Sequence, residues 1–170
     1  MGTDISASNW SSFKLRVNIN RKINEIYGQW TTPGALEKWF LREAIFFDSA
    51  GKKRGNNESV QKNDTYEWRW HGYSDDVTEK GTVLEANGAD RFSFTFSLGC
   101  PVTIRIYGEI DETIVELTES DLPTDEKTRS GHFVGDSRGW IFYMVNLKSI
   151  LEGGLDLRNK KIELRNVITA

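Results

Sequence analysis

Cysteine is almost missing from this sequence: Cys100 is the only one, so no disulfide can form within the chain. Small secreted domains commonly depend on disulfides, and the first residues have neither the basic nor the apolar region of a signal peptide. The purest apolar run, residues 140–145, is far shorter than the roughly 18 residues of a membrane-spanning helix. We therefore expect a cytoplasmic protein without a membrane span.

A surplus of positive charge is also missing. The chain has 22 Lys and Arg against 25 Asp and Glu, which gives a formal net charge of -3. Nucleic-acid binders usually gather basic residues on one face, so we expect no nucleic-acid partner. The two histidines, His71 and His132, have no metal-ligand spacing such as H-E-x-x-H. We interpret them as surface residues and predict no metal, no cofactor and no catalytic residue.

Other candidates for chemistry have simpler interpretations. Cys100 stands between a glycine and a proline and is interpreted as a turn residue, since a nucleophile would need a base close by. Five carboxylates surround Pro123, and paired carboxylates can act in acid–base chemistry when burial raises one pKa. We interpret them as a solvated acidic loop, and they are Glu116, Glu119, Asp121, Asp125 and Glu126.

Aromatic residues are abundant. They make up 12% of the chain, with six Trp and nine Phe. Aromatic side chains bury large areas with defined shapes, so this composition suits either a filled aromatic core or a ligand cavity. Composition alone leaves both interpretations open.

Apolar and polar residues alternate along several short segments separated by turns, which is typical of antiparallel strands with one buried face. We predict strands at 13–20, 45–47, 66–70, 81–85, 91–98, 102–106 and 110–118. Two short helices follow the first strand, at 23–30 and 33–40, with Thr32 as the N-cap of the second. Residues 50–64 are predicted to form a long exposed loop.

The last helix carries a broad apolar stripe from Trp140 to Leu151 and ends at Gly153 and Gly154. Three glycines precede it at a spacing of four residues: Gly131, Gly135 and Gly139. Because each would cost a helix about 1 kcal/mol, we predict that the helix begins later than Gly131, with Asp136 or Ser137 as its cap. The alternative is a helix whose smooth face lies close to something else.

The order of elements predicts an α+β fold in which a curved antiparallel sheet of six or seven strands wraps around one long C-terminal helix. Residues 13–158 are expected to form a single domain, since the length suits one. Residues 1–12 are expected to be a flexible N-terminus and residues 159–170 a charged C-terminal tail.

Three segments resemble the helix-grip SRPBCC (START, birch-pollen-allergen-like) superfamily and, within it, the activator-of-heat-shock-ATPase-homologue (AHSA-type) family. They are QWTTP with LEKWF (29–33 and 36–40), GTVLE with RFSFTF (81–85 and 91–96), and GW with LKSILEGG (139–140 and 147–154). The resemblance spans about residues 13–158. It implies a helix-grip fold whose cavity holds a lipid, hormone or polyketide-like molecule, and a few relatives are cyclases or hydrolases. The eukaryotic namesake contacts its chaperone through a separate N-terminal domain, and only about a dozen residues precede the first strand here, so no chaperone partner is expected.

The leading functional hypothesis is non-catalytic binding of a small apolar molecule in a cavity between the sheet and the C-terminal helix. The alternatives are a cyclase- or hydrolase-like enzyme, and a co-chaperone-like interaction domain that would need an exposed apolar patch. A homodimer is compatible with each of them. The predicted ligand-binding residues are Trp39, Phe46, Trp68, Trp70, Phe94, Phe96, Ile104, Ile106, Tyr143, Met144 and Leu147.

Overall fold

A computed structural model describes residues 10–164 and 167–168. Residues 1–9 belong to the N-terminus that we expect to be flexible, and they lie outside the described residues. Residues 165, 166, 169 and 170 of the expected C-terminal tail also lie outside them. The elements, in chain order, are β1 (Phe13–Asn18), α1 (Ile23–Thr31), α2 (Pro33–Trp39), β2 (Glu43–Phe47), β3 (Thr65–Arg69), β4 (Glu79–Ala86), β5 (Arg91–Phe96), β6 (Cys100–Glu109), β7 (Glu112–Glu119), α3 (Glu126–Thr128), a π-helical turn (Arg129–Phe133) and α4 (Val134–Leu151).

All seven strands form one antiparallel sheet in the order β1-β7-β6-β5-β4-β3-β2. The first two strands lie at opposite edges, so α1 and α2 carry the chain from one edge of the sheet to the other. The predicted fold is therefore confirmed: a helix-grip α+β domain with a curved sheet, two short helices after β1 and a long C-terminal helix. No helix among the described residues is long and apolar enough to cross a membrane.

The predicted alternation places one face of the sheet in the core. Burial alternates at every residue of β1 and through most of β6, where Val102, Ile104 and Ile106 are buried. Side chains on one face of a strand recur every second residue, so these positions share the face that α4 covers. Trp140 of α4 packs against the Phe94 and Phe96 rings of β5, with centroid distances of 6.1 and 5.1 Å.

Helix α4 begins earlier than the sequence predicts. Neither Asp136 nor Ser137 is its cap, because the chain is already helical from α3 through the π-helical turn. The cap lies upstream at Asp125, whose side chain accepts a hydrogen bond from the Thr128 amide at 3.0 Å. Gly135 and Gly139 therefore stand inside the helix despite their intrinsic cost to it.

Two turns also differ from the prediction. Ile110 and Asp111 have positive φ angles of 46° and 62° and form the β6–β7 turn, so β7 begins at Glu112 rather than at Ile110. This backbone shape matches the right-handed twist of a tight hairpin. Cys100 is not a turn residue but the first residue of β6, where it is buried; the turn before it contains Leu98, whose φ is also positive.

The chain after α4 is anchored by a buried arginine. Arg158 donates hydrogen bonds to the carbonyl oxygens of Glu37 (3.1 Å), Lys38 (2.7 Å) and Leu41 (2.9 Å), and it forms an ion pair with Asp156. Carbonyls at the end of a helix have no partners within it. Arg158 supplies donors at and just beyond the end of α2, and so holds α2 in place against the C-terminal segment.

Candidate ligand-binding cleft

A cleft of about 280 Å³ opens beside the N-terminal half of α4. Its walls come from the end of α2, the connection between β3 and β4, the end of β5, and α4 itself. Tyr73 and Val77 are 40% and 46% exposed, which places the mouth of the cleft at the β3–β4 connection. The lining residues are Phe40, Trp70, Tyr73, Val77, Phe96, Gly135, Asp136, Gly139, Trp140 and Tyr143.

The aromatic walls are held by contacts with one another. The Phe40 ring lies 5.2 Å from Trp140 and 4.7 Å from Tyr143, measured between centroids. Phe96 lies 5.1 Å from Trp140 and 6.3 Å from Trp70. Edge-to-face and tilted pairs at such distances are mutually attractive. The rings on both sides of the cleft are therefore fixed before any ligand arrives.

The glycine spacing now has a structural meaning. Gly135 and Gly139 lie one turn apart on the face of α4 that lines the cleft. A Cβ atom added at either position would meet no other atom within 4 Å. The glycines are therefore not required for close helix packing. They leave open space in the cleft that larger side chains would occupy.

A buried carboxyl group lies behind this wall. Glu119 is fully buried, and its Oε2 accepts a hydrogen bond from Trp140 Nε1 at 3.0 Å. Its interpretation as part of a solvated loop is wrong, because it is the last residue of β7 and shares the inward face with Val115 and Leu117. Neither Glu119 Oε1 nor the buried Oδ2 of Asp136 has a hydrogen-bond donor among the described residues.

Both carboxyl groups hold protons more strongly than usual. Burial, followed by the charge of Asp136, raises the pKa of Glu119 to about 8, while the hydrogen bond from Trp140 opposes this shift. Burial also raises the pKa of Asp136, against a hydrogen bond with Ser97 and the charge of His132. A proton shared by the pair at neutral pH supplies the hydrogen bond that the two bare oxygens lack. With one proton shared in this way, the pair would keep one negative charge.

Polar groups around the pair complete this end of the cleft. The Ser97 amide donates to Glu79 Oε1 at 2.9 Å, and burial raises the pKa of Glu79. Ser97 Oγ lies 2.9 Å from His132 Nδ1. His132 and His71 are both half-buried rather than surface residues, and burial lowers the pKa of His71. No group of three or more His, Cys, Asp or Glu suited to a metal ion occurs among the described residues.

The predicted ligand-binding residues divide into two sets. Trp70, Phe96 and Tyr143 line the cleft. The others lie in the packed core, each at most 2% exposed, and their contact with a ligand stays a prediction: Trp39, Phe46, Trp68, Phe94, Ile104, Ile106, Met144 and Leu147.

Sequence reasoning missed several lining residues, chiefly Phe40, Tyr73 and Asp136. The spacing of Gly135 and Gly139 is a sequence signal for the face of α4 that lines the cleft, although no other part of the described chain packs closely against that face as the alternative interpretation required.

Solved structures establish what the chain resembles. No protein-family profile and no curated protein matches it. A protein of Staphylococcus saprophyticus, SSP2350, superposes with a TM-score of 0.67 at 17% identity, over 86% of this chain and 96% of that one. The Aha1 dimer of Colwellia psychrerythraea gives a TM-score of 0.65 at 17% identity, over 84% and 97%. The chain shares their fold.

A third structure extends this likeness to a longer protein. DynU16, encoded in the dynemicin biosynthetic locus, gives a TM-score of 0.67 at 17% identity, over 88% of this chain and 50% of that one. At such identities the likeness concerns the fold alone. The function must be argued from the cleft itself.

Proposed function

We propose that the protein binds a small apolar molecule in the cleft beside α4, without chemical conversion. The observation that carries this proposal is the contrast between the cleft and the rest of the interior. Protein cores leave few voids larger than a water molecule, and the core face of this sheet is filled by residues such as Trp68 and Phe94. The cleft, which opens to solvent at the β3–β4 connection, instead leaves about 280 Å³ unfilled between aromatic walls.

The dimensions and composition of the cleft indicate the kind of ligand. Ligand sites are usually about 300–1,000 Å³, mostly apolar, with a few polar groups that orient the ligand. This cleft lies near the lower limit, and six of its ten lining residues are aromatic. A planar molecule of about the size of naphthalene fits this description. Asp136 and Tyr143 are the polar side chains in the lining that could orient a ligand.

The proposal is tested by filling the cleft from its glycine face. Gly139→Leu places a branched side chain in the open space, so we expect the affinity for a neutral probe, 2-naphthylmethanol, to fall by at least about tenfold. Gly28→Leu is the matched control, because Gly28 also lies inside a helix with no atom within 4 Å of an added Cβ and does not line the cleft. Isothermal titration calorimetry should show one-to-one binding to the wild type and to the control. No binding to the wild type, or equal loss in both variants, would reject the proposal.

An acid–base enzyme of the cyclase or hydrolase kind is the second candidate. The favouring observation is the carboxyl pair Glu119–Asp136, since raised pKa values in a cleft are common at catalytic sites. Tyr143, another polar group that could serve such an enzyme, lines the cleft, whereas Arg105 is exposed and Tyr107 donates to Glu116 on the other face of the sheet. If the wild type hydrolyses a naphthyl ester and the Asp136→Asn variant does not, the function is catalysis rather than binding.

The remaining expectations stay predictions. They are the cytoplasmic location, the absence of a nucleic-acid partner, and a homodimer, for which the dimeric Aha1 structure of the same fold is a precedent. A co-chaperone-like interaction domain is the third alternative.

A further inference from the structure

We propose that the ligand of this cleft is an apolar amine whose protonated nitrogen binds at Asp136, beside Glu119. This inference rests on the proposed binding function and adds the charge of the ligand to it. It depends on three features of the site: an unpaired negative charge, buried oxygens without donors, and a surrounding set of aromatic rings.

In the part of the chain that the structure describes, the negative charge has no lysine or arginine partner. Among residues 10–164 and 167–168, no Lys or Arg lies within ion-pair distance of Glu79, Glu119 or Asp136. Other buried carboxylates in the same protein do have one: Asp64, for instance, pairs with Arg54. A buried charge is costly unless it is paired. A cationic ligand would supply the missing partner.

The position of Asp136 in the cleft lining shows where such a ligand would bind. Once the shared proton leaves the pair, neither Glu119 Oε1 nor Asp136 Oδ2 has a hydrogen-bond donor among the described residues. Asp136 belongs to the cleft lining, and Trp140, which donates to Glu119, forms the wall next to it. An ammonium group has three donors and no acceptor. It can therefore donate to the pair in place of the shared proton, which a ligand carboxylate could not do.

The aromatic walls favour the same class of ligand. Six rings line the cleft, from Phe40, Trp70, Tyr73, Phe96, Trp140 and Tyr143. The face of an aromatic ring attracts cations, most strongly for Trp, and the attraction increases where water is excluded. The same rings provide apolar area for the hydrocarbon part of an amine. An aromatic cleft with a carboxyl group in its lining thus matches both parts of the molecule.

The charged and titratable groups around the pair come from every element packed against it. Glu79 approaches from β4, His132 from the π-helical turn, Tyr66 from β3, and Cys100 from the start of β6. His132 is the basic side chain in this set. A bound ammonium would therefore favour loss of the shared proton, so affinity for an amine should rise from about pH 6 to about pH 8.

The experiment compares two ligands of matched shape, 2-naphthylmethylamine and 2-naphthylmethanol, by calorimetry near neutral pH. We expect the amine to bind the wild type at least about tenfold more tightly than the alcohol. In Asp136→Asn, which keeps the shape and removes the charge, this preference should fall to about twofold or less. Asp111→Asn is the matched control, because it removes one exposed charge in the β6–β7 turn and should keep the preference.

A second measurement needs no variant and so remains decisive if Asp136→Asn fails to fold. Titrations of the wild type in buffers of different ionisation enthalpy should show protons released with the amine and none with the alcohol. Equal binding of the two ligands, or amine binding without proton release and without dependence on Asp136, overturns the inference and leaves apolar binding intact. Failure of both ligands to bind overturns the proposed function itself.

Discussion

Trp140→Ala is expected to lower the free energy of unfolding by about 3–5 kcal/mol, the usual cost of truncating a large buried aromatic. Trp140 is 2% exposed and lies where α4 meets the sheet. Its ring contacts Trp30, Phe40 and Phe96, with centroid distances of 6.2, 5.2 and 5.1 Å. The change also removes the donor to Glu119 Oε2 and leaves that buried oxygen bare.

Urea denaturation followed by circular dichroism measures this loss. Trp10→Ala is the matched control, since Trp10 is 37% exposed and contacts chiefly Phe133 and Arg129. We expect the control to lose no more than about 1 kcal/mol. A Trp140→Ala midpoint equal to that of the wild type would show that α4 does not close the core.

As the pH rises from about 5 to about 8, the free energy of unfolding of the wild type is expected to fall more than that of the Glu119→Gln variant. The folded-state pKa of Glu119, about 8, lies above its ordinary value of 4.5 because of burial and then the charge of Asp136. The folded protein therefore holds a proton that the unfolded chain releases. The resulting stabilisation is fully present below about pH 4.5 and is lost as the pH rises through about 8, at up to about 1.4 kcal/mol per pH unit.

Comparison of the wild type with Glu119→Gln distinguishes the contribution of Glu119 from those of the other titrating groups. Carboxylates with lowered pKa values, such as Glu116 and Asp156, lose their contribution only at more acidic pH. His71 has a lowered pKa and acts in the opposite direction, since its contribution is lost as the pH falls below about 6.5. Because both occur equally in wild type and variant, they cancel in the difference between them.

The measurement is chemical denaturation of both proteins at several pH values across this window. A glutamine at position 119 can still accept from Trp140 and can donate to Asp136, so the fold should be retained. Glu112→Gln, at the exposed start of the same strand, should follow the wild type. Parallel stability profiles for wild type and Glu119→Gln would mean that the pair shares no proton.

The fold could be predicted because its patterns are local. Alternation in segments such as 13–18 and 91–96 gives both the strand and its buried face, and the wide apolar stripe of α4 identifies the helix that the sheet must cover. The errors fell at boundaries. Ile110 is 89% exposed and belongs to a turn although it is apolar, and the cap at Asp125 lies eleven residues before the one that the glycines suggested.

The candidate site was predicted only in part, since a gap in a core is a property of tertiary packing. Trp68 and Trp70 share one face of the same chain segment, yet Trp68 is completely buried whereas Trp70 borders the cleft. The alternation of apolar and polar residues cannot show which of the two tryptophans borders the cleft. Glu119 is different, because its phase with Val115 and Leu117 already placed it on the inward face, and the strand pattern outweighs the polar composition of the neighbouring loop.

Nuclear Overhauser contacts between bound 2-naphthylmethanol and the isotope-labelled protein test the central claim most directly, since they locate the ligand. We predict contacts from the naphthalene protons to the rings of Phe96 and Trp140 and to the α protons of Gly139, all of which line the cleft. Contacts confined to Ile141 and Val145, which are exposed on α4 outside the cleft lining, would contradict the account.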